Sequence, residues 1–170
     1  MSLADELLEH ARFLAHLVPG HTSQASLRRA VSTAYYAVFL LFSAEVAVQV
    51  SPAFPAGLRE RTQRALHHKQ MLTVANAVSQ VGGKPGNLPP DIKLPEPISI
   101  ELSFIASGFK NLQEARHAAD YDLTRSFDRT DVVSVVKSAE DIFKKWDIEK
   151  TSSNAPVFLA SLMFWKLWNK

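Results

Sequence analysis

Arg116 is the residue with the strongest chemical potential in this sequence. Leu102, Ile105, Phe109 and Leu112 recur at spacings of three and four, and Arg116 takes the next place in the series. At about 100° per residue that series is one face of a helix. A guanidinium cannot shed its charge. Burying one requires carboxylate, phosphate or carbonyl partners. Asp120 stands one helical turn later and can pair with it. Glu45, on the apolar side of an earlier helical stretch, is a second candidate partner. Two chemistries fit. In one, Arg116 is a structural ion-pair residue, or its long stem snorkels past the core. In the other, it holds an anionic ligand, for which the planar fork suits phosphate.

Other polar residues surround this one in the sequence. His117 follows it directly, and Tyr121 stands five residues after it. Both project away from Arg116 in a regular helix, though the chain is expected to bend near Asp122. Tyr35 lies at the edge of an apolar helix face, so its hydroxyl can reach a polar pocket, with Ser32 as a lesser companion. Tyr35 and Tyr36 both read as packing residues, since aromatics at helical spacing usually form core. His67 and His68 fall where helical periodicity weakens, and a fold-back or second subunit can bring one of them near Arg116. Adjacent histidines cannot face one way on a helix, so no metal site is expected. Arg59, Arg61, Arg64 and Lys69 form a basic run that reads best as a solvated face.

The elements that must position these groups are helices. Ser2 and Asp5 open the first as a capping box. Its apolar face is Leu3, Leu7, Ala11, Leu14 and Val18, and Pro19-Gly20 ends it. Thr22 or Ser23 opens a longer helix with Leu27, Val31, Ala34, Val38, Leu41 and Phe42 inward. A third helical region runs from Leu58 to Val81, either continuous or broken near His67-His68-Lys69. A Gly/Pro-rich loop over 82–97 follows, since neither residue type continues a helix. The Arg116 helix begins near Ser99. Thr130 is the expected cap of the next helix, whose inner face carries Val132, Val135, Val136, Ala139, Ile142, Phe143 and Trp146. A short apolar helix closes the chain, capped by Ser152, Ser153 or Asn154. No stretch alternates with period two, so no sheet is expected.

The chain has 170 residues, which suits one helical domain over 1–170. The net charge of +2 is too small to argue a nucleic-acid partner by itself. Cysteine is absent, which excludes disulfides and thiolate metal sites and suits a cytoplasmic location. The apolar stretch Val157 to Trp165 is far shorter than the roughly 20 residues of a membrane span, so no membrane role is expected. No cofactor is implied.

Two segments resemble a known family. Ser26-Leu27-Arg28-Arg29-Ala30-Val31-Ser32-Thr33-Ala34-Tyr35-Tyr36-Ala37-Val38-Phe39 resembles the second helix of HEPN (higher eukaryotes and prokaryotes nucleotide-binding) domains. Phe109-Lys110-Asn111-Leu112-Gln113-Glu114-Ala115-Arg116-His117-Ala118-Ala119-Asp120-Tyr121-Asp122 resembles the helix that carries their signature arginine. The resemblance runs from the first helix to the fifth. It implies an all-α, up-and-down bundle of four to five helices, with the short apolar C-terminal helix added. It also implies a homodimer with the signature arginines near the subunit interface. Many relatives are metal-independent ribonucleases, including toxins and defence effectors. Their motif is arginine, four to six residues, then histidine. Here Tyr121 occupies the position five after Arg116, and Asp122 and Leu123 follow it.

The resemblance implies Arg116 as the phosphate-handling residue; read with the residues around it, Arg116, Asp120, Tyr121 and His117 are the candidates for a reaction centre, and Arg116, Tyr35 and His68 the candidate nucleic-acid contacts. The expected activity is binding of RNA or a nucleotide. Phosphate stabilisation without a proton-transfer histidine supports binding better than cleavage. A toxin neutralised by a nucleotidyltransferase antitoxin is a narrower form of this expectation. The alternative is a non-catalytic dimerisation or protein-interaction module in which Arg116 is structural. Its motivation is the apolar C-terminal segment with Trp165 and Trp168.

Overall fold

The computed structural model describes residues 1–16, 23–50, 53, 55–79 and 93–168. Among these, seven helices and no strand are present. They are α1 (Leu3–Ala15), α2 (Gln24–Val50), α3 (Ala56–Arg64), α4 (His68–Ala77), α5 (Ile100–Tyr121), α6 (Arg129–Glu149) and α7 (Asn154–Trp168). The all-α helical bundle is as expected. The helix count is higher because the third helical region divides. His67 is extended, with φ −118° and ψ 129°, and starts α4 where α3 has ended. Most of the 82–97 loop, together with Val18, Pro19-Gly20, His21 and Thr22, lies outside the described residues; 93–97 are non-helical.

Side chains at the helix ends explain the boundaries. Ser2 and Asp5 form the capping box on α1. The Ser23 hydroxyl accepts from the Ser26 N–H at 3.1 Å, and Ser99 does the same for Leu102 at 2.9 Å. Asp128, not Thr130, caps α6: its carboxylate accepts from the Asp131 N–H at 2.8 Å. A charged acceptor at the positive end of a helix outcompetes a hydroxyl two residues on. Ser152 serves α7 through the Ala155 N–H at 3.2 Å.

Two compact units divide the chain. The first comprises Met1–Leu40 and Gly108–Phe143, and the second Leu41–Ser107 and Lys144–Lys170. In the first unit α1 buries Ala4, Leu8, Ala11 and Ala15, while Leu3 is exposed. The inner face of α1 is therefore turned by one residue from the leucine stripe. Alanine side chains let a helix backbone approach its neighbours closely, and that contact decides the rotation. Arg12 ties α1 to α6 by pairing with Glu140 at 2.7 Å. Leu27, Val31, Ala34, Val38, Leu112, Val132, Val136 and Ile142 are buried as the periodicity predicts. In the second unit Phe42 meets Trp146 edge-on at 5.2 Å and Phe158 at 5.8 Å. Helix α7 packs on α4 there. Its Phe158, Leu159 and Leu162 are buried.

One stretch of α2, Gln24–Gln49, is long and apolar enough to cross a membrane, but 61% of its most apolar window is buried inside the protein. Its apolarity is that of a helix surrounded by others.

Candidate functional site

The site lies in the first unit, where the N-terminal half of α2 faces the C-terminal end of α5. Arg28 builds this junction. Its guanidinium donates to the carbonyls of Ala119 at 2.8 Å and Asp122 at 2.9 Å, and also to that of Arg125. The last carbonyls of a helix lack internal partners, and a cation there also opposes the negative end of the dipole. The chain beyond is held by Gln24. Its side-chain amide donates to the Phe127 carbonyl at 2.7 Å and accepts from the Phe127 N–H at 3.0 Å. Asp122 closes the turn by accepting from the N–H of Thr124 at 2.9 Å and from its hydroxyl at 2.6 Å. These bonds, led by that from the Thr124 hydroxyl, hold the Asp122 carboxyl below its ordinary range.

Arg116 sits one turn inside this fixed end, on the face that Phe109, Leu112 and Ala119 bury. Its side chain is 17% exposed. Nη2 donates to the Tyr36 hydroxyl at 2.8 Å. The guanidinium carbon stands 5.4 Å from the Tyr36 ring centroid, 5.5 Å from that of Tyr121 and 5.9 Å from that of Tyr35. Three aromatic faces thus surround one cation. Oδ2 of Asp120 lies 2.7 Å from Nε. The Nε–H is not directed at that oxygen and has no well-aligned acceptor. The Arg116–Asp120 attraction is therefore mainly Coulombic. Burial works to lower the Arg116 pKa, and Tyr36, Asp120 and Tyr121 outweigh it, so the guanidinium is held protonated above its ordinary value.

Asp120 has a second partner. Ser32, buried on α2, donates its hydroxyl to Oδ1. A cleft of about 350 Å3 opens beside this pair, lined by Arg28, Arg29, Ser32, Asp120 and Tyr121, with Ala25 and Ala119. Arg29 is exposed, and its guanidinium has no hydrogen bond or ion pair among the described residues. Tyr121 is 63% exposed, with its ring available at the cleft edge.

The chain matches none of the family models, curated proteins or solved structures with which it was compared.

Arg116 meets Asp120 as the one-turn spacing suggests, and Tyr35 lies against the guanidinium; Tyr121, which helical projection points elsewhere, nevertheless brings its ring to 5.5 Å from it. Tyr35 is fully buried, and burial pushes its hydroxyl pKa up, against a smaller opposing pull from Arg116. His117 is exposed, with its ring 5.1 Å from that of Tyr121. His68 opens α4 in the second unit. The structure adds contributors that the sequence pattern does not single out. Tyr36, which reads as packing, holds the arginine. Arg28 and Arg29 form the cleft wall, and adjacent arginines about two turns before Tyr35 and Tyr36 are a visible signal for it. Ser32 proves to be the second anchor of Asp120. The expectation that Arg116 pairs with Asp120 is met.

Proposed function

We propose that this protein is a HEPN-like module, dimeric and cytoplasmic, that binds RNA or a nucleotide at the α2–α5 cleft through the Arg116 site. One observation carries the reading. A cationic guanidinium is held among three tyrosine rings beside a cleft that presents a second, exposed arginine and an exposed aromatic ring. Cations that meet phosphate and rings that stack on bases are the two recurring parts of single-stranded nucleic-acid sites. The resemblance of the α2 and α5 segments to HEPN domains supports the same assignment.

The activity proposed is binding. Cleavage at a ribose 2′-hydroxyl needs a group that moves a proton near neutral pH. No histidine stands among the described residues lining the cleft. The Tyr35 hydroxyl, raised by burial, is unsuited to that work. Fluorescence anisotropy with a labelled uridine oligonucleotide at low salt tests the proposal, with an RNA-cleavage assay beside it. Wild type binds, and Arg116→Ala loses at least about tenfold in affinity, as expected for removing a phosphate-facing arginine. If wild type neither binds nor cuts, and the variant behaves identically, the proposal falls.

A second reading has its own observation. Asp120 already closes on Arg116 and is fixed by Ser32, which satisfies most of the charge internally. In that reading the site is structural, and the protein works by dimerisation or partner binding.

A further inference from the structure

Asp120 lines the cleft and Arg116 does not. The Asp120 carboxylate thus both borders the open space and pairs with the guanidinium, with Oδ2 at 2.7 Å from Nε. An anion that enters the cleft therefore finds Arg116 already paired with a cleft-lining carboxylate. We infer that Asp120 is a built-in occupant of the Arg116 anion seat, which a ligand phosphate must displace in order to bind. This inference rests on the binding reading above.

The pair is suited to exchange. Ion pairs one turn apart on a helix are weak, even before the misdirected Nε–H is considered. A phosphate brings more lone pairs and can meet the arginine fork in two directions at once. Exchange leaves no charge stranded. The Asp120 side chain is already 28% exposed and can turn to water. Its departure frees the Ser32 hydroxyl, which can donate to a phosphate oxygen as it now does to Oδ1. Arg29, exposed on the cleft wall, offers the first cationic contact. Arg28 is committed to the backbone carbonyls of the α5 end, so it holds the wall still while the exchange occurs. The ligand class is accordingly a phosphate-bearing one able to outcompete a carboxylate, and a carboxylate ligand of equal charge gains nothing.

The test uses a labelled uridine oligonucleotide and full-length Asp120→Asn, which keeps the shape and the acceptor for Ser32 but removes the competing charge. Expected is binding about fivefold tighter than wild type, a change typical of removing one like charge near a partly exposed site. In the Arg116→Ala background the gain from Asp120→Asn disappears, because no seat is left to vacate. Arg116→Lys serves in its place should the alanine variant unfold, and it too shows a reduced gain. Wild-type binding with no gain from Asp120→Asn overturns the inference and leaves the binding reading intact. A gain that persists without Arg116 overturns it as well, since Asp120 then acts only as a nearby charge. If no variant binds, both fall together.

Discussion

The Arg116 cluster separates three contributions that one substitution would blur. Tyr36→Phe keeps the ring over the guanidinium and removes only the acceptor for Nη2. It is expected to lower stability by about 1 kcal/mol, the usual worth of one hydrogen bond. Arg116→Ala removes that bond, the cation–ring contacts and the partner of Asp120 together, and is expected to cost about 2–3 kcal/mol. Urea denaturation followed by circular dichroism measures both. Equal losses would mean that the ring faces and the Asp120 pairing together contribute nothing. The Tyr35 hydroxyl, held protonated by burial, adds no negative charge to the cluster at neutral pH.

At the scale of the element, α5 carries two unlike features. Gly108 lies against α6, where an added Cβ would meet Ile142 Cδ1 at 2.8 Å and Cγ1 at 3.2 Å. Alanine is the better helix former by about 1 kcal/mol. Ile142 is fully buried and cannot swing away, so overpacking of about 1–3 kcal/mol wins. Gly108→Ala should therefore destabilise, and Ile142→Val, which removes Cδ1, should cost less in that background than in wild type. A double-mutant cycle by denaturation reads the coupling. At the far end of α5, the Asp122 carboxyl is depressed below 3.8 by the Thr124 and Arg125 bonds. Its folded value lies below its unfolded one. Its contribution is therefore present above 3.8 and is lost as pH falls through the folded value. Asp122→Asn should flatten the fall in melting temperature over that acid range and leave the neutral plateau pH-independent.

At the scale of the whole molecule, α7 decides how the interaction reading should be tested. Phe158, Leu159 and Leu162 are buried, and Phe158 meets both Phe42 and Trp146. Removing residues from Asn154 onward would uncover the core of the second unit and also disturb the buried Glu149, whose carboxylate accepts from Ser99 and Ser152 at 2.7 Å each. That truncation is expected to abolish cooperative thermal unfolding, so it cannot report on association. Leu167, 59% exposed on the same helix, is the cleaner probe. Leu167→Glu should leave stability within about 0.5 kcal/mol, as for other surface changes. If this face joins two copies, sedimentation equilibrium will show the variant with a lower mass than wild type; an unchanged mass places any dimer contact elsewhere.

The helices and most of their inward faces are legible in the amino-acid order alone. The reason is that spacings of three and four, capping residues and breakers act locally, within one or two turns. That order also shows that Arg116 occupies a face otherwise buried, and that Asp120 can reach it, because a one-turn separation fixes that distance. It misleads on the rotation of α1 and the cap of α6, where two local signals compete and packing or charge chooses between them. Only the tertiary structure decided what lies across from α5. Tyr36, Ser32, Arg28 and Arg29 reach the site from residues about 80 to 90 positions away in the chain, and no local pattern records such a pairing. The set of groups at the cleft, with Asp120 on its lining and Arg116 paired to it, is likewise set by how α2 meets the end of α5. That arrangement leaves Arg116 already paired with a cleft-lining carboxylate.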